Sequence, residues 1–227
     1  MNNLMTRDAA EVLGVSQRQV TDLLHAGKLV GEQLRDGTWL VTPRSINERL
    51  SLNSGAGRHW SSASSWALLG ELSGQASTGL SPSTVARIRR RIRTSTAEEI
   101  ARKVANRTVA HRYTADSIAK TAGELVLTGV SAIAMISSEL SGQTPIVEGY
   151  LRGESLTSFV RRQLLSANDN GNVIIYESHT SAGFEGRYAP DAVIAADLAR
   201  SAATRERSAG LAGLEEMRQR WLAKHTR

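Results

Sequence analysis

Residues 6–42 carry the clearest pattern in this chain, and they restrict what its first part can fold into. Apolar residues recur at helical spacing on both sides of residues 14–16, Gly-Val-Ser, where the glycine suits a left-handed turn and the serine suits a helix cap. Two β-type runs then flank residues 35–37, Arg-Asp-Gly, and an Asp-Gly pair in that position indicates a hairpin. The stretch therefore predicts two helices joined by a tight turn and followed by a β-hairpin.

The two predicted helices differ in which side they leave in solvent. The first is predicted to have Thr6 as its N-cap and to bury Ala9, Val12 and Leu13. The second buries its apolar positions 20, 23 and 24, which leaves outward the polar residue types that hydrogen-bond to base edges and phosphates. The DNA contacts that we predict are Ser16, Gln17, Arg18 and Thr21 from the helix, with Arg35 and Thr38 from the hairpin.

This order of elements is typical of a helix-turn-helix followed by a β-hairpin wing. Residues 7–50, RDAAEVLGVSQRQVTDLLHAGKLVGEQLRDGTWLVTPRSINERL, resemble the excisionase and MerR-type winged helix-turn-helix, with its A-A-x-x-L-G-V-S core. The resemblance implies that residues 16–21 enter the major groove and that the wing touches the DNA backbone. We expect Trp39 to pack the wing onto the helices. The alternative is that a module of this size only docks another protein.

The positive charge of the chain lies behind this first part rather than in it. The net charge is +6, yet residues 1–50 hold six basic and six acidic side chains, whereas residues 51–94 hold six basic and one acidic. Ser81 as a cap and Pro82 at the first helical position predict a helix over the arginine-rich part. We predict contacts to a polyanion or to a toxin protein from Arg87, Arg89, Arg90, Arg91 and Arg93, the alternative being a solvated helix face.

The predicted fold is mainly α with small β elements, because aromatic residues make up only 4% and Ala, Ser, Leu and Arg dominate. We predict a winged helix-turn-helix over residues 1–52, a linker over 53–65 and a larger α+β domain over 66–227. In that domain we expect a helix from residue 95 extending towards Val109, strands over 146–152 and 172–177, and a last helix over 203–224. The stretch 124–140 fits a strand or a helix at its start.

Several classes of site are not expected. The chain has no cysteine, which excludes disulfides and cysteine-based metal sites, and its five histidines are scattered without metal-ligand or triad spacing. We therefore predict no catalytic residues, no cofactor and no metal. No apolar run reaches the length of a membrane span, so we expect a soluble, cytoplasmic protein without a membrane partner. Tyr150, Arg152 and Ser155 resemble the opening motif of serine recombinases, with the spacing to the serine one residue too long.

The larger part of the chain has a resemblance of its own. The segments RHWSSASSWALLGELSG, LSPSTVARIRRRIR, LTGVSA, VEGYLRGESLTSFVRRQLL, NVIIYES and APDAVIAADLARSAATRERSAGLAGLEEM resemble an actinobacterial group of proteins similar to AbiEi-type antitoxins. This implies an antitoxin that represses its own operon and counteracts a nucleotidyltransferase-like toxin. We expect a homodimer on double-stranded DNA with inverted repeats. The alternative is an excisionase-like architectural factor of a phage or plasmid.

The last helix offers a surface for such a dimer. Leu211, Leu214, Trp221 and Leu222 form an apolar stripe along it, together with Met217 or Arg218. The stripe fits pairing with a second copy or packing inside its own domain.

Overall fold

The computed structural model describes residues 3–26, 28–53, 59–75, 79–136, 146–168, 170–178, 184, 186–201 and 203–225. The chain divides into two compact units, Met1–Gly57 and Arg58–Arg227. The fold is mixed α/β. The predicted linker, residues 53–65, spans the division; residues 54–58 lie outside the described ones, and a helix already begins at Ser62.

The first unit combines three helices with a three-stranded antiparallel sheet. The helices are α1 (Thr6–Leu13), α2 (Gln17–His25) and α3 (Pro43–Asn53). The strands, in the sheet order β1-β3-β2, are β1 (Leu4–Met5), β3 (Trp39–Val41) and β2 (Gly31–Gln33). Its core is formed by Ala9, Ala10, Val20, Leu24, Leu29, Val41 and Ile46. The predicted helix, turn, helix and hairpin are all present.

Two details of α1 correct the sequence prediction. Thr6 is the first helical residue and not the cap, because Met5 takes the extended cap conformation and pairs with Leu40 in β1. Val12 is 48% exposed, so the buried face of α1 is made by Ala9 and Ala10 instead. Gly14 follows with a φ of +66°, which confirms the left-handed turn between α1 and α2.

The second unit is built on a five-stranded mixed sheet of order β5-β6-β8-β4-β7. Its strands are β4 (Thr108–Thr114), β5 (Val126–Leu127), β6 (Val147–Tyr150), β7 (Ser166–Ala167) and β8 (Val173–Ser178). Among these five strands β6 and β8 pair parallel, and the other neighbouring pairs are antiparallel. The sheet is larger than the small β elements that we predicted.

Helices cover both faces of this sheet. One apolar core gathers side chains of α4 (Ser62–Leu72), α5 (Pro82–Thr94), α6 (Ala97–Val104), α9 (Asp191–Leu198) and α10 (Thr204–His225). The other contains side chains of α7 (Ile118–Glu124) and α8 (Leu156–Arg162). Leu214, Met217 and Trp221 of α10 lie in the first core, so the apolar stripe of the last helix packs inside its own unit.

β4 is the longest strand of this sheet, and the sequence prediction missed it. We expected a helix to continue towards Val109, but α6 ends at Val104 and a single 3-10 turn, Ala105–Arg107, leads into β4. β4 pairs antiparallel with β8 from Thr108 opposite Ser178 to Tyr113 opposite Val173. Cross-strand pairing over this length outweighs the local helical pattern.

The apolar stretch 124–140 contains two kinds of structure. It forms β5 and then a 3-10 helix over Gly129–Met135, while residues 137–145 lie outside the described ones. β5 pairs antiparallel with β6, Val126 opposite Tyr150. The strand alternative is therefore the correct one for the start of this stretch.

A fully buried ion pair joins Arg107, just before β4, to Asp197 of α9. Asp197 also accepts hydrogen bonds from the Tyr150 hydroxyl at 2.7 Å and the Thr128 hydroxyl at 2.8 Å. The Arg107 guanidinium lies 5.3 Å from the centre of the Trp66 ring and donates to the Val104 carbonyl. Asp197 thus connects α9 to three residues that lie next to or within β4, β5 and β6.

Asp197→Ala tests how strongly this ion pair stabilises the second unit. Removing the carboxylate leaves the Arg107 charge buried without its counter-ion, which typically costs about 3–5 kcal/mol. Urea unfolding followed by circular dichroism should show that loss in the transition of the second unit. Asp191→Ala, an exposed change at the start of the same helix, is the control. Equal midpoints for the two variants would contradict the assignment.

Glu148 of β6 is a second carboxyl group in this core. It accepts a hydrogen bond from the Val130 backbone N–H at 3.2 Å. A Cβ on Gly129, whose φ is +52°, would overlap Glu148 Oε2, so only glycine fits beside it. Burial, and then the negative charge of Asp197, raise the pKa of Glu148 to about 8. The folded protein therefore holds this carboxyl group protonated near neutral pH.

This raised pKa predicts that the second unit loses stability as the pH rises. Between the ordinary pKa of 4.5 and about 8 the folded state keeps a proton that the unfolded chain has lost. Below pH 4.5 Glu148 is protonated in both states, and the stability of the unit is highest with respect to this group. As the pH rises from 4.5 to about 8, the free energy of unfolding falls by up to roughly 1.4 kcal/mol per pH unit.

Glu148→Gln should remove that slope, because the amide is neutral at every pH. The measurement is urea unfolding of the chain between pH 5 and 8.5. Glu98→Gln, on the exposed side of α6, should keep the wild-type slope. A slope that survives in Glu148→Gln would assign it to another group.

Candidate nucleic-acid interface

The start of α2 is fixed by a reciprocal capping box. The Ser16 hydroxyl accepts from the Gln19 backbone N–H at 3.2 Å, and the Ser16 backbone N–H donates to Gln19 Oε1 at 3.0 Å. Gln19 was absent from our predicted set, although a serine followed three residues later by glutamine is the sequence signal of this cap. Ser16 therefore has a structural role whatever else it contacts.

The exposed side of α2 carries the remaining predicted contact residues. Gln17 and Arg18 are exposed, while Val20 and Leu24 on the opposite side are buried. Thr21 is half-buried and its hydroxyl donates to the Gln17 carbonyl at 3.2 Å. Of the three side chains, those of Gln17 and Arg18 are the most available to a partner.

The β2–β3 hairpin presents the other predicted residues. Arg35 is exposed at its tip, and Gly37 has a φ of +86°. Asp36 Oδ1 accepts from the Thr38 backbone N–H at 2.9 Å, and this hydrogen bond holds the pKa of Asp36 below its usual value. The backbone N–H of Thr38 therefore stabilises the turn. The side chain of Thr38, which we predicted to contact DNA, is half-buried.

Trp39 joins the hairpin to α2. Its ring meets the His25 ring edge-on, with centroids 5.8 Å apart, and it packs against the apolar core of the first unit. This confirms the prediction that Trp39 holds the hairpin against the helices. Because α2 and the hairpin share one core, their exposed side chains keep a fixed spacing.

Residues 1–50, most of the first unit, hold as many acidic as basic side chains. The exposed side chains of the unit mix both signs, with Arg7, Arg18 and Arg35 beside Asp22 and Glu32. Balanced charge gives little long-range attraction to phosphates. A ligand of this surface would have to be selected by hydrogen bonds at short range.

The structure divides the five predicted arginines of α5 into two sets. Arg89 forms an ion pair with Glu71 at 3.0 Å, and Arg93 lies 5.4 Å from the centre of the Trp221 ring. Glu71 is buried and also accepts from Trp221 Nε1 at 3.3 Å. Arg89 and Arg93 thus contact other side chains of the second unit, whereas Arg87 and Arg90 are exposed.

The residues that resemble a serine-recombinase motif have other contacts. The Tyr150 hydroxyl is buried against Asp197, and Arg152 donates to the Gly186 carbonyl at 2.7 Å. Ser155 is the N-cap of α8, where its hydroxyl accepts from the Ser158 backbone N–H. Each residue of the motif is thus engaged in holding the fold.

Two other features are absent from the part of the chain that the structure describes. Within it, no group of three or more His, Cys, Asp or Glu side chains could hold a metal ion. None of the described helices has the length and apolarity that crossing a membrane requires.

Comparison with known proteins gave no match: no protein-family model, no curated protein and no solved structure matches this chain. The two resemblances described above therefore rest on the quoted motifs alone.

The capping box predicts a measurable effect at the start of α2. Ser16→Ala removes the acceptor for the Gln19 N–H and should destabilise the helix by about 1 kcal/mol. Amide hydrogen exchange of residues 17–20 should become faster, while exchange in the second unit stays unchanged. Ser16→Thr, which keeps a hydroxyl acceptor, should restore slow exchange. Unchanged exchange in Ser16→Ala would show that the cap contributes nothing.

Proposed function

We propose that the chain binds double-stranded DNA in a sequence-specific manner, and that its first unit is a winged helix-turn-helix. In this proposal α2 enters the major groove and the β2–β3 hairpin contacts the DNA backbone. The observation that carries it is the contrast on α2: one side is held by the core and the capping box, while Gln17 and Arg18 are exposed on the other.

The chemistry of these side chains supports base readout. Arginine binds the O6 and N7 atoms of guanine in bidentate fashion, and glutamine does the same to the N6 and N7 atoms of adenine. Arg35 is exposed at the hairpin tip, and in this proposal it contacts a phosphate on the flank. The balanced charge of the unit also fits a role in which hydrogen bonds supply the specificity.

We propose further that this DNA-binding protein is a cytoplasmic antitoxin that represses its own operon, bound as a homodimer to inverted repeats. The support is the resemblance of residues 58–217 to AbiEi-type antitoxins. The apolar stripe of α10 is buried in its own unit, so the second copy would use another surface. If the adjacent gene encodes a nucleotidyltransferase-like toxin, growth rescue on co-expression with it would support this role, and no rescue would favour an excisionase-like one.

Selection from random duplexes followed by titration tests the DNA-binding proposal. The chain should enrich one sequence, and Arg18→Ala should weaken binding to it by roughly 10-fold or more, since a bidentate base contact is worth about 1–3 kcal/mol. Gln17→Ala should relax the preference at a different base.

The matched control is Arg7→Ala, which removes one exposed positive charge from α1. It should leave the selected sequence and its affinity almost unchanged. The proposal fails if no sequence is enriched, or if the Arg7 and Arg18 variants lose affinity equally.

A further inference from the structure

α5 lies in a part of the chain that contains no acidic residue. From residue 72 to residue 96 there is no aspartate or glutamate, while five arginines fall between 87 and 93. Glu71 neutralises Arg89, and the ring of Trp221 lies against Arg93. Within the described part of the chain, Arg87, Arg90 and Arg91 have no ion pair.

Arg91 is held in place without a counter-ion. Its guanidinium lies 4.7 Å from the centre of the Trp60 ring, and its Nη1 atom is buried with no hydrogen-bond partner among the described residues. Burial lowers the pKa of Arg91, and the positive charge of Arg87 lowers it further. Arg91 is half-buried, and two positive charges close together without an ion pair are stabilised by an anion.

Trp60 is itself fixed, so Arg91 rests on a rigid support. The Trp60 backbone N–H donates to the Lys103 carbonyl at 3.1 Å. The neighbouring His59 ring hydrogen-bonds to the Arg102 carbonyl at 3.0 Å. Both acceptors belong to the last turn of α6, which therefore positions the tryptophan under α5.

Arg87 and Arg90 extend this positive surface along α5. Both are exposed; Arg87 precedes Arg90 by three residues and Arg91 by four. Side chains three or four residues apart are neighbours on a helix, with Cβ atoms about 5–6 Å apart. A row of phosphates matches such a row of guanidinium groups better than a single small anion does.

The composition of the surface favours nucleic acid over an acidic protein. Protein interfaces depend on a dry apolar centre surrounded by polar residues. Among the described residues, the large apolar side chains exposed by more than a third are Met5, Val12, Leu34, Leu50, Met135 and Leu164, and none of them lies on α5. Charge without an exposed apolar centre is typical of phosphate-backbone contacts.

We propose that Arg87, Arg90 and Arg91 form a second DNA-binding surface, one that contacts phosphates of double-stranded DNA without reading sequence. The proposal rests on the proposed function only for the choice of DNA as the ligand. In this proposal the arginine surface of the second unit supplies the electrostatic part of the affinity for DNA, because the charges of the first unit are balanced.

The test is a salt titration of binding to a duplex that lacks the selected sequence. The full chain carrying Arg87→Gln and Arg90→Gln should bind this duplex about 10-fold more weakly at low salt. The slope of log affinity against log salt should fall by about 0.9 for each phosphate that the variant no longer neutralises. Arg91→Gln should weaken binding further, with the folded state checked by circular dichroism.

The control is the double variant Arg161→Gln and Arg220→Gln, which removes the same charge from exposed positions on α8 and α10. It should keep the wild-type slope. Equal weakening in both double variants, or unchanged binding in both, would overturn the proposal. The proposal would also be overturned if the chain bound poly-glutamate through Arg87 and Arg90 but did not bind the duplex.

The two proposals fail in different ways in this design. Loss of sequence preference in the Arg18 variant with an unchanged slope in the α5 variant would support the first unit alone. A reduced slope in the α5 variant without any enriched sequence would support the phosphate surface alone.

Discussion

The second unit depends on the ion pair between Arg107 and Asp197. One carboxylate collects donors from three points of the sheet: Arg107 before β4, Thr128 after β5 and Tyr150 at the end of β6. Every residue of α9 after Asp191 is buried, so the helix could slide along an apolar surface if packing alone held it. A buried carboxylate that needs these particular donors fixes its register, because any shift would leave the charge unpaired.

Burying the Glu148 carboxyl group in this core makes the stability of the unit depend on pH. Glu148 lies on the same strand as Tyr150, and burial together with the nearby charge of Asp197 keeps its pKa at about 8. The protonated carboxyl group avoids the repulsion that two buried carboxylates would suffer. The hydrogen bond from the Val130 N–H holds the neutral Glu148 carboxyl group in place.

The arginines of α5 show how one sequence run acquires different roles. Arg89 forms an ion pair with the buried Glu71, whereas Arg90, the next residue, is exposed. Arg91 returns towards the unit and covers Trp60. The helical repeat turns successive side chains by about 100°, so adjacent arginines meet a carboxylate, solvent and an aromatic ring in turn. Of these three adjacent arginines, Arg90 and Arg91 belong with Arg87 to the proposed phosphate surface.

The sequence by itself determined the features that depend on a few adjacent residues. The left-handed Gly14, the Asp36-Gly37 hairpin and the Ser81-Pro82 helix start all follow from local chain geometry. Only the tertiary structure decided that β4 is a strand, that the α10 stripe faces inward, and that Arg107 meets Asp197 across 90 residues of sequence. Those outcomes depend on which distant groups can be buried together, and spacing along the chain carries no information about that.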